Sequence, residues 1–296
     1  MGKILAYNFI ITIILAITFI MLSIDSVTPT LCNLLNVPNP QGAKAKPILK
    51  VLKKAEKILN NGKIEKALIY APDAIGEVLY EPHLFEFSPV IANAPIEIKL
   101  QSVYPSKTPI CFRSMFTGSK PDEDEIPSLM EREVVTCETI FDVLAENGIK
   151  VAIVAVEGSS IDKIFRNRNI EYYNEQYDPH VTLRVLKIIK EHKYDFILAY
   201  HQEYDDVSHR SHPEGDMALR AFRNHIHSFH KMSTLFYREN QEYNRLTGFF
   251  PDHGNHFDSE LGVGTHGSNS SEDMNLRHFW GIKKGKKKYN LKKRKT

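Results

Sequence analysis

Ala67-Leu-Ile-Tyr-Ala71, Val151-Ala-Ile-Val-Ala-Val156 and Phe196-Ile-Leu-Ala-Tyr200 are apolar runs of strand length with no polar alternation. A strand that is apolar on both faces must be covered on both faces, which suits parallel strands between two helical layers. A helical stretch precedes each run. Ile48, Val51, Leu52, Ala55 and Leu59 share one face before a stop at Asn60-Asn61-Gly62, a second helix runs from Cys137 to Asn147 before Gly148, and a third from about His180 to Lys190. Helix and strand in alternation predict an α/β fold, a doubly wound, mostly parallel central sheet flanked by helices, with functional residues just beyond the carboxyl ends of strands. A short helix is expected after Ser26-Val-Thr-Pro-Thr30, and a long one from about Asp216 to Tyr243 carrying His225, His227 and His230, read as surface or satisfied core histidines.

With 296 residues, 42% hydrophobic and 25% charged, the chain is globular material for one principal domain, expected over 25–282. The net charge is +2, yet nine Lys or Arg lie in the last fourteen residues, so the body is mildly acidic. Residues 283–296 read as a basic disordered tail, and no specific nucleic-acid binding is expected. Cys32, Cys111 and Cys137 form neither a disulfide framework nor a zinc pattern. From Ile4 to Ile24 no residue is charged, long enough for a helix to cross a bilayer, so residues 1–24 are a candidate membrane anchor or signal. Lys3 before the run and Lys44 as the first cation after it would leave the body outside. The expected location is membrane-anchored or exported, with a buried helix in a cytoplasmic protein as the alternative.

Polar clusters follow the strands. Asp73 comes two residues after Ala71. Thr108, before Pro109, puts a hydroxyl at a helix start, where backbone N–H groups favour anions; a plain helix cap is the competing reading. Asp205 and His209 are four residues apart and can converge on one cation. Asp252 and His253 are adjacent, and His266 sits between glycines. Together they supply ligands for two metals and a hydroxyl nucleophile.

In this order and spacing the chain resembles the alkaline phosphatase superfamily, and within it the nucleotide pyrophosphatase/phosphodiesterase branch, from about Ala67 to Ile282. The resemblance is carried by Pro105-Ser106-Lys107-Thr108 with Thr117-Gly118 nine residues on, by Asp205, His209 and Pro213, by Asp252-His253-Gly254, and by Gly264, His266 and Gly267. It implies two divalent ions, zinc being expected and manganese or iron the alternatives. Asp73, Thr108, Asp252 and His253 would hold one ion; Asp205, His209 and His266 would hold the other. The implied reaction is phosphodiester hydrolysis through a phospho-threonine on Thr108, on a small phosphoester such as a nucleotide. The branch usually has Asn three residues after the nucleophile, and Cys111 stands there. Cys111 and Lys107 are taken as substrate-binding candidates, with Arg113 a further one, Asp206 and His256 as supports beside the metals. A phosphomonoesterase or phosphonate hydrolase with the same site is the nearest alternative, and an inactive binding protein on this fold the remoter one. The Cys-x-Pro-x-Arg motif of sulfatases is absent. Phosphoethanolamine transferases are set aside for their additional membrane spans.

Overall fold

The computed structural model describes residues 22–286. Seven strands form one sheet in the order β2-β9-β6-β1-β5-β3-β4: β1 Lys66–Pro72, β2 Ile96–Gln101, β3 Val151–Val156, β4 Glu171–Glu175, β5 Phe196–His201, β6 Arg245–Phe249 and β9 Asn275–Lys283. β1 lies between β5 and β6, parallel to both, and β3 is parallel to β5 and β4. β9 runs antiparallel to β6 and β2. β7 His256–Asp258 and β8 Val263–Thr265 form a separate hairpin.

The uninterrupted apolar runs behave as expected. Along β1, Ala67, Ile69 and Ala71 enter the core on one face, and Leu68 and Tyr70 enter the core on the other. The helices Val27–Leu35, Leu49–Leu59, Thr108–Thr117 and Ile140–Glu146 cover the first face; Asp178–Glu191 and Asp216–Glu239 cover the second. Local signals set the helix ends. Asn60 takes a left-handed φ of 52° at the end of Leu49–Leu59, and Thr139 and Asp142 form a capping box before Ile140.

Leu22 packs on the core, Ser23 bridges Gln101, and Ile24 is fully buried, so these residues belong to the body. Among the described residues no helix is long and apolar enough to cross a membrane; residues 4–21 of the candidate span lie outside them. At the other end Lys283 closes β9 with its ammonium over the Tyr237 ring, and the Lys286 N–H donates to Gln241 O. Residues 287–296 of the basic tail lie outside the described residues.

Candidate active site

Four strand ends converge. Asp73 follows β1, Asp205 lies in the helix Glu203–Ser208 after β5, Asp252 and His253 follow β6, and Thr108 opens the helix after β2. The Asp73 N–H donates to His201 O, tying the ends of β1 and β5 together. At Thr108 the chain leaves an extended Lys107 (φ −120°, ψ 135°) and enters the helix, and Pro109 is accommodated in its first turn, where a missing N–H costs no helical hydrogen bond.

The two expected ligand sets form two clusters. In the first, the Thr108 hydroxyl lies 3.2 Å from His253 Nε2 and 3.4 Å from both Asp73 oxygens. His253 Nε2 is 3.3 Å from Asp73 Oδ1 and 3.3 Å from Asp252 Oδ2. In the second, His209 Nε2 is 3.3 Å from Asp205 Oδ2, and His266 Nε2 is 3.2 Å from His209 Nε2 and 3.5 Å from Asp205 Oδ1. The clusters adjoin, with the rings of His253 and His266 stacked at a centroid distance of 4.0 Å.

The donor chemistry fits a cation in each cluster. All three imidazoles use Nδ1 as a donor to a backbone carbonyl: His253 to Gly254 O, His209 to Gly264 O and His266 to Ser106 O. In the neutral rings this leaves each Nε2 with a bare lone pair facing carboxylate oxygens, the outer-shell arrangement of metal-bound histidines. Two of those oxygens, Asp205 Oδ1 and Asp252 Oδ2, are buried without a hydrogen-bond partner. Lone pair against lone pair is repulsive unless a positive charge lies between. A tetrahedral site with bonds of about 2.0–2.1 Å separates neighbouring donors by about 3.3 Å, which is the spacing seen here.

Electrostatics agree. Burial, then the Asp252 and Asp205 charges, push the Asp73 carboxyl well above its usual range; burial, with Asp205 adding to it, does the same to Asp252. Burial, and then His266, push His253 well below the ordinary histidine range. A hydrogen bond with Asp205 raises His209, so a proton there competes with a cation.

The other sequence candidates land differently. Lys107 Nζ donates to His266 O, and its stem lies over Gly267, whose φ of 111° and lack of a Cβ permit the approach. Lys107 therefore fastens the His266 loop. Cys111 corrects an expectation: it is fully buried, its Sγ 3.1 Å from Ser102 Oγ, and burial pushes its thiol well up. One helical turn beyond Thr108, its side chain turns into the core and not toward a substrate. Arg113 is also buried, with Glu125 and Ser119 as partners. Asp206 accepts from Tyr177 OH and Gln202 Nε2, while His256 bonds Asp273.

Three supports carried no sequence signal of their own. Tyr200 OH donates to Asp73 Oδ2. Asp273, fully buried, accepts from Ser268 N–H and from the Ser106 and Ser268 hydroxyls, joining the loops that hold Thr108 and His266. Asp178 accepts the Gln202 and Glu203 N–H groups and so caps the helix that carries Asp205. A pocket of ≈ 210 Å³ opens on Thr108 and Asp73, walled by Arg132, Glu157, Ser160, Gln202 and Asp206.

No protein-family model and no curated protein sequence matches the chain. Solved structures do. The C-terminal periplasmic domain of phosphoethanolamine transferase EptC from Campylobacter jejuni superposes with a TM-score of 0.53 at 14% identity, over 74% of this chain and 80% of that one. The integral membrane lipooligosaccharide phosphoethanolamine transferase A from Neisseria meningitidis gives 0.51 at 10% identity, over 79% of this chain and 53% of that one. Murine ectonucleotide pyrophosphatase/phosphodiesterase 5 gives 0.49 at 18% identity over 66% of this chain, which spans 59% of that protein's length. The chain thus has the alkaline phosphatase type of α/β fold, as its motifs suggested. The similarity to EptC is to its C-terminal periplasmic domain alone.

Proposed function

We propose that the protein is a metal-dependent phosphoester hydrolase in which Thr108 is the nucleophile. The observation that carries the proposal is the Thr108 hydroxyl at a helix N-terminus, 3.2–3.4 Å from Asp73 and His253, beside a second Asp/His cluster. Asp73, Thr108, Asp252 and His253 would hold one divalent ion and Asp205, His209 and His266 another, with zinc suited to the mixed oxygen and nitrogen donors. Bound there, the ions would supply Lewis acidity that lowers the pKa of the hydroxyl and offsets charge on the phosphoryl oxygens. The protein's own part is positional. Asp73, itself held by Tyr200, takes the hydrogen bond of the Thr108 hydroxyl and fixes its rotamer for in-line attack. Attack yields a phospho-threonine and releases an alcohol; water then cleaves the ester and restores Thr108.

The diester reading rests on the motif spacing shared with the phosphodiesterase branch, because the ions proposed on Asp73 and Asp205 would offset charge on a monoester as well as on a diester. Glu157, Asp206 and Arg132 are the other charged side chains that line the pocket. The test measures bound metal and compares bis-p-nitrophenyl phosphate with p-nitrophenyl phosphate, using Thr108→Ala as control. Expected are two ions per chain and diester cleavage that Thr108→Ala lowers by on the order of 10³-fold or more. A Thr108→Ala protein with undiminished turnover would overturn the nucleophile, and monoester preference would replace the diesterase reading. Transfer to an added alcohol in place of water would mark a transferase.

A further inference from the structure

The helix Leu49–Leu59 buries Val51, Ala55 and Leu59 against the sheet. Its opposite side carries Lys50, Lys53, Lys54 and Lys57, all exposed, at the spacing that stacks side chains into one stripe. Lys44 and Lys46, also exposed, extend the stripe into the preceding loop, and between residues 40 and 59 Glu56 is the only acid.

Against the start of this stripe lies a groove of ≈ 720 Å³ on the outer edge of β2. Leu22, Pro47, Leu49 and Ile98 supply apolar lining, and Leu49, although apolar, is 62% exposed among the described residues. Lys46 and Lys50 stand on the rim with Lys99, and the one acid among the lining residues, Glu97, is paired with Arg277 while its carbonyl accepts from Lys50 Nζ. Apolar floor with cationic rim is the complement of a phospholipid, whose chain is apolar and whose phosphate is anionic. Nucleic acid fits less well, since no aromatic ring lines the groove to stack a base. Leu22, in the groove wall, is also the point at which the apolar run from Ile4 joins the body.

We propose that this face docks on an anionic membrane surface, with lipid phosphates along the lysine stripe and Leu49 inserted at the groove. The assignment is independent of the hydrolase chemistry and uses none of its residues.

The test is flotation of the full chain with vesicles of phosphatidylcholine alone and of equimolar phosphatidylcholine and phosphatidylglycerol, at low and high salt. The stripe variant is Lys50→Glu, Lys53→Glu, Lys57→Glu. The control, Lys187→Glu, Lys190→Glu, Lys193→Glu, changes net charge equally on the other face of the sheet. All six side chains are exposed, and circular dichroism checks the fold. Expected is a preference for the anionic vesicles of about tenfold or more at low salt, abolished in the stripe variant and kept in the control. The proposal is overturned if the full chain shows no such preference, if the stripe variant keeps it, if the control loses it equally, or if single-stranded RNA binds the stripe as tightly as the vesicles do.

Discussion

Asp205, His209 and His266 form one triad of a carboxylate and two imidazoles; Asp178, His201 and His225 form another, behind the same strand end. By composition they are indistinguishable. In the second triad every ring nitrogen has a partner. Tyr204 N–H donates to His225 Nε2, which makes His225 Nδ1 a donor to Tyr70 OH; Tyr70 then donates to His201 Nδ1, and His201 Nε2–H reaches Thr182 Oγ1. Asp178 is occupied by two backbone N–H groups. In the first triad Asp205 Oδ1 has no partner, and the Nε2 lone pairs face one another. What separates the proposed cation site from the polar core network is the hydrogen-bond accounting, not the residue list.

That contrast can be broken by removing a group from each side. The largest effect is expected at Asp205→Asn, which keeps the shape but removes the charge beside His209 and His266: one bound ion lost and turnover down by on the order of 10³-fold, read by metal analysis and steady-state rates. Tyr70→Phe strips the inner network of its central hydroxyl and leaves two buried imidazoles short of a partner. It should cost about 2 kcal/mol in a urea titration and leave metal content unchanged. A loss of metal in that variant would mean that the two triads are not distinct.

The smallest effect is a pH slope. Burial pushes His201 and His225 from 6.5 to about 3, with the His225 shift partly opposed by Asp178. Between those values the unfolded chain binds protons that the folded chain does not, so stability is full above about pH 6.5 and falls as the pH drops toward 3. His225→Gln should make that fall shallower in denaturant midpoints taken across the window, whereas an unchanged slope would place the acid sensitivity elsewhere.

Much of this was legible in the sequence for identifiable reasons. Strands buried on both faces advertise themselves as apolar runs, and β1, β3 and β5 fall within two residues of their expected limits. Of the candidate ligands, Asp73 and Asp205 stand out because they follow β1 and β5, whereas Asp252, His253 and His266 stand out by adjacency and flanking glycines. β9 was not legible, since its pattern is broken by Arg277 and His278, both buried: Arg277 meets Glu77, Glu81 and Glu97, and His278 Nε2 donates to Pro251 O. β4 is half exposed and polar, with no apolar signature to find. Cys111 was misread because position relative to Thr108 fixes only distance along the helix, while the direction of a side chain depends on what the helix packs against. Tyr200 and Asp273 act through contacts far apart in sequence, which no local spacing encodes.

The bridge between Ser23 and Gln101 has a mechanical consequence. Gln101 is the last residue of β2, the strand that feeds Thr108, and Ile24 is locked in the core directly after the bridge. The joint therefore has no slack: Leu22 packs on the core and accepts the Gln101 N–H, Ser23 bridges Gln101 and Ile24 is buried, so any displacement of these three residues would be felt first at the exit of the strand that leads to Thr108.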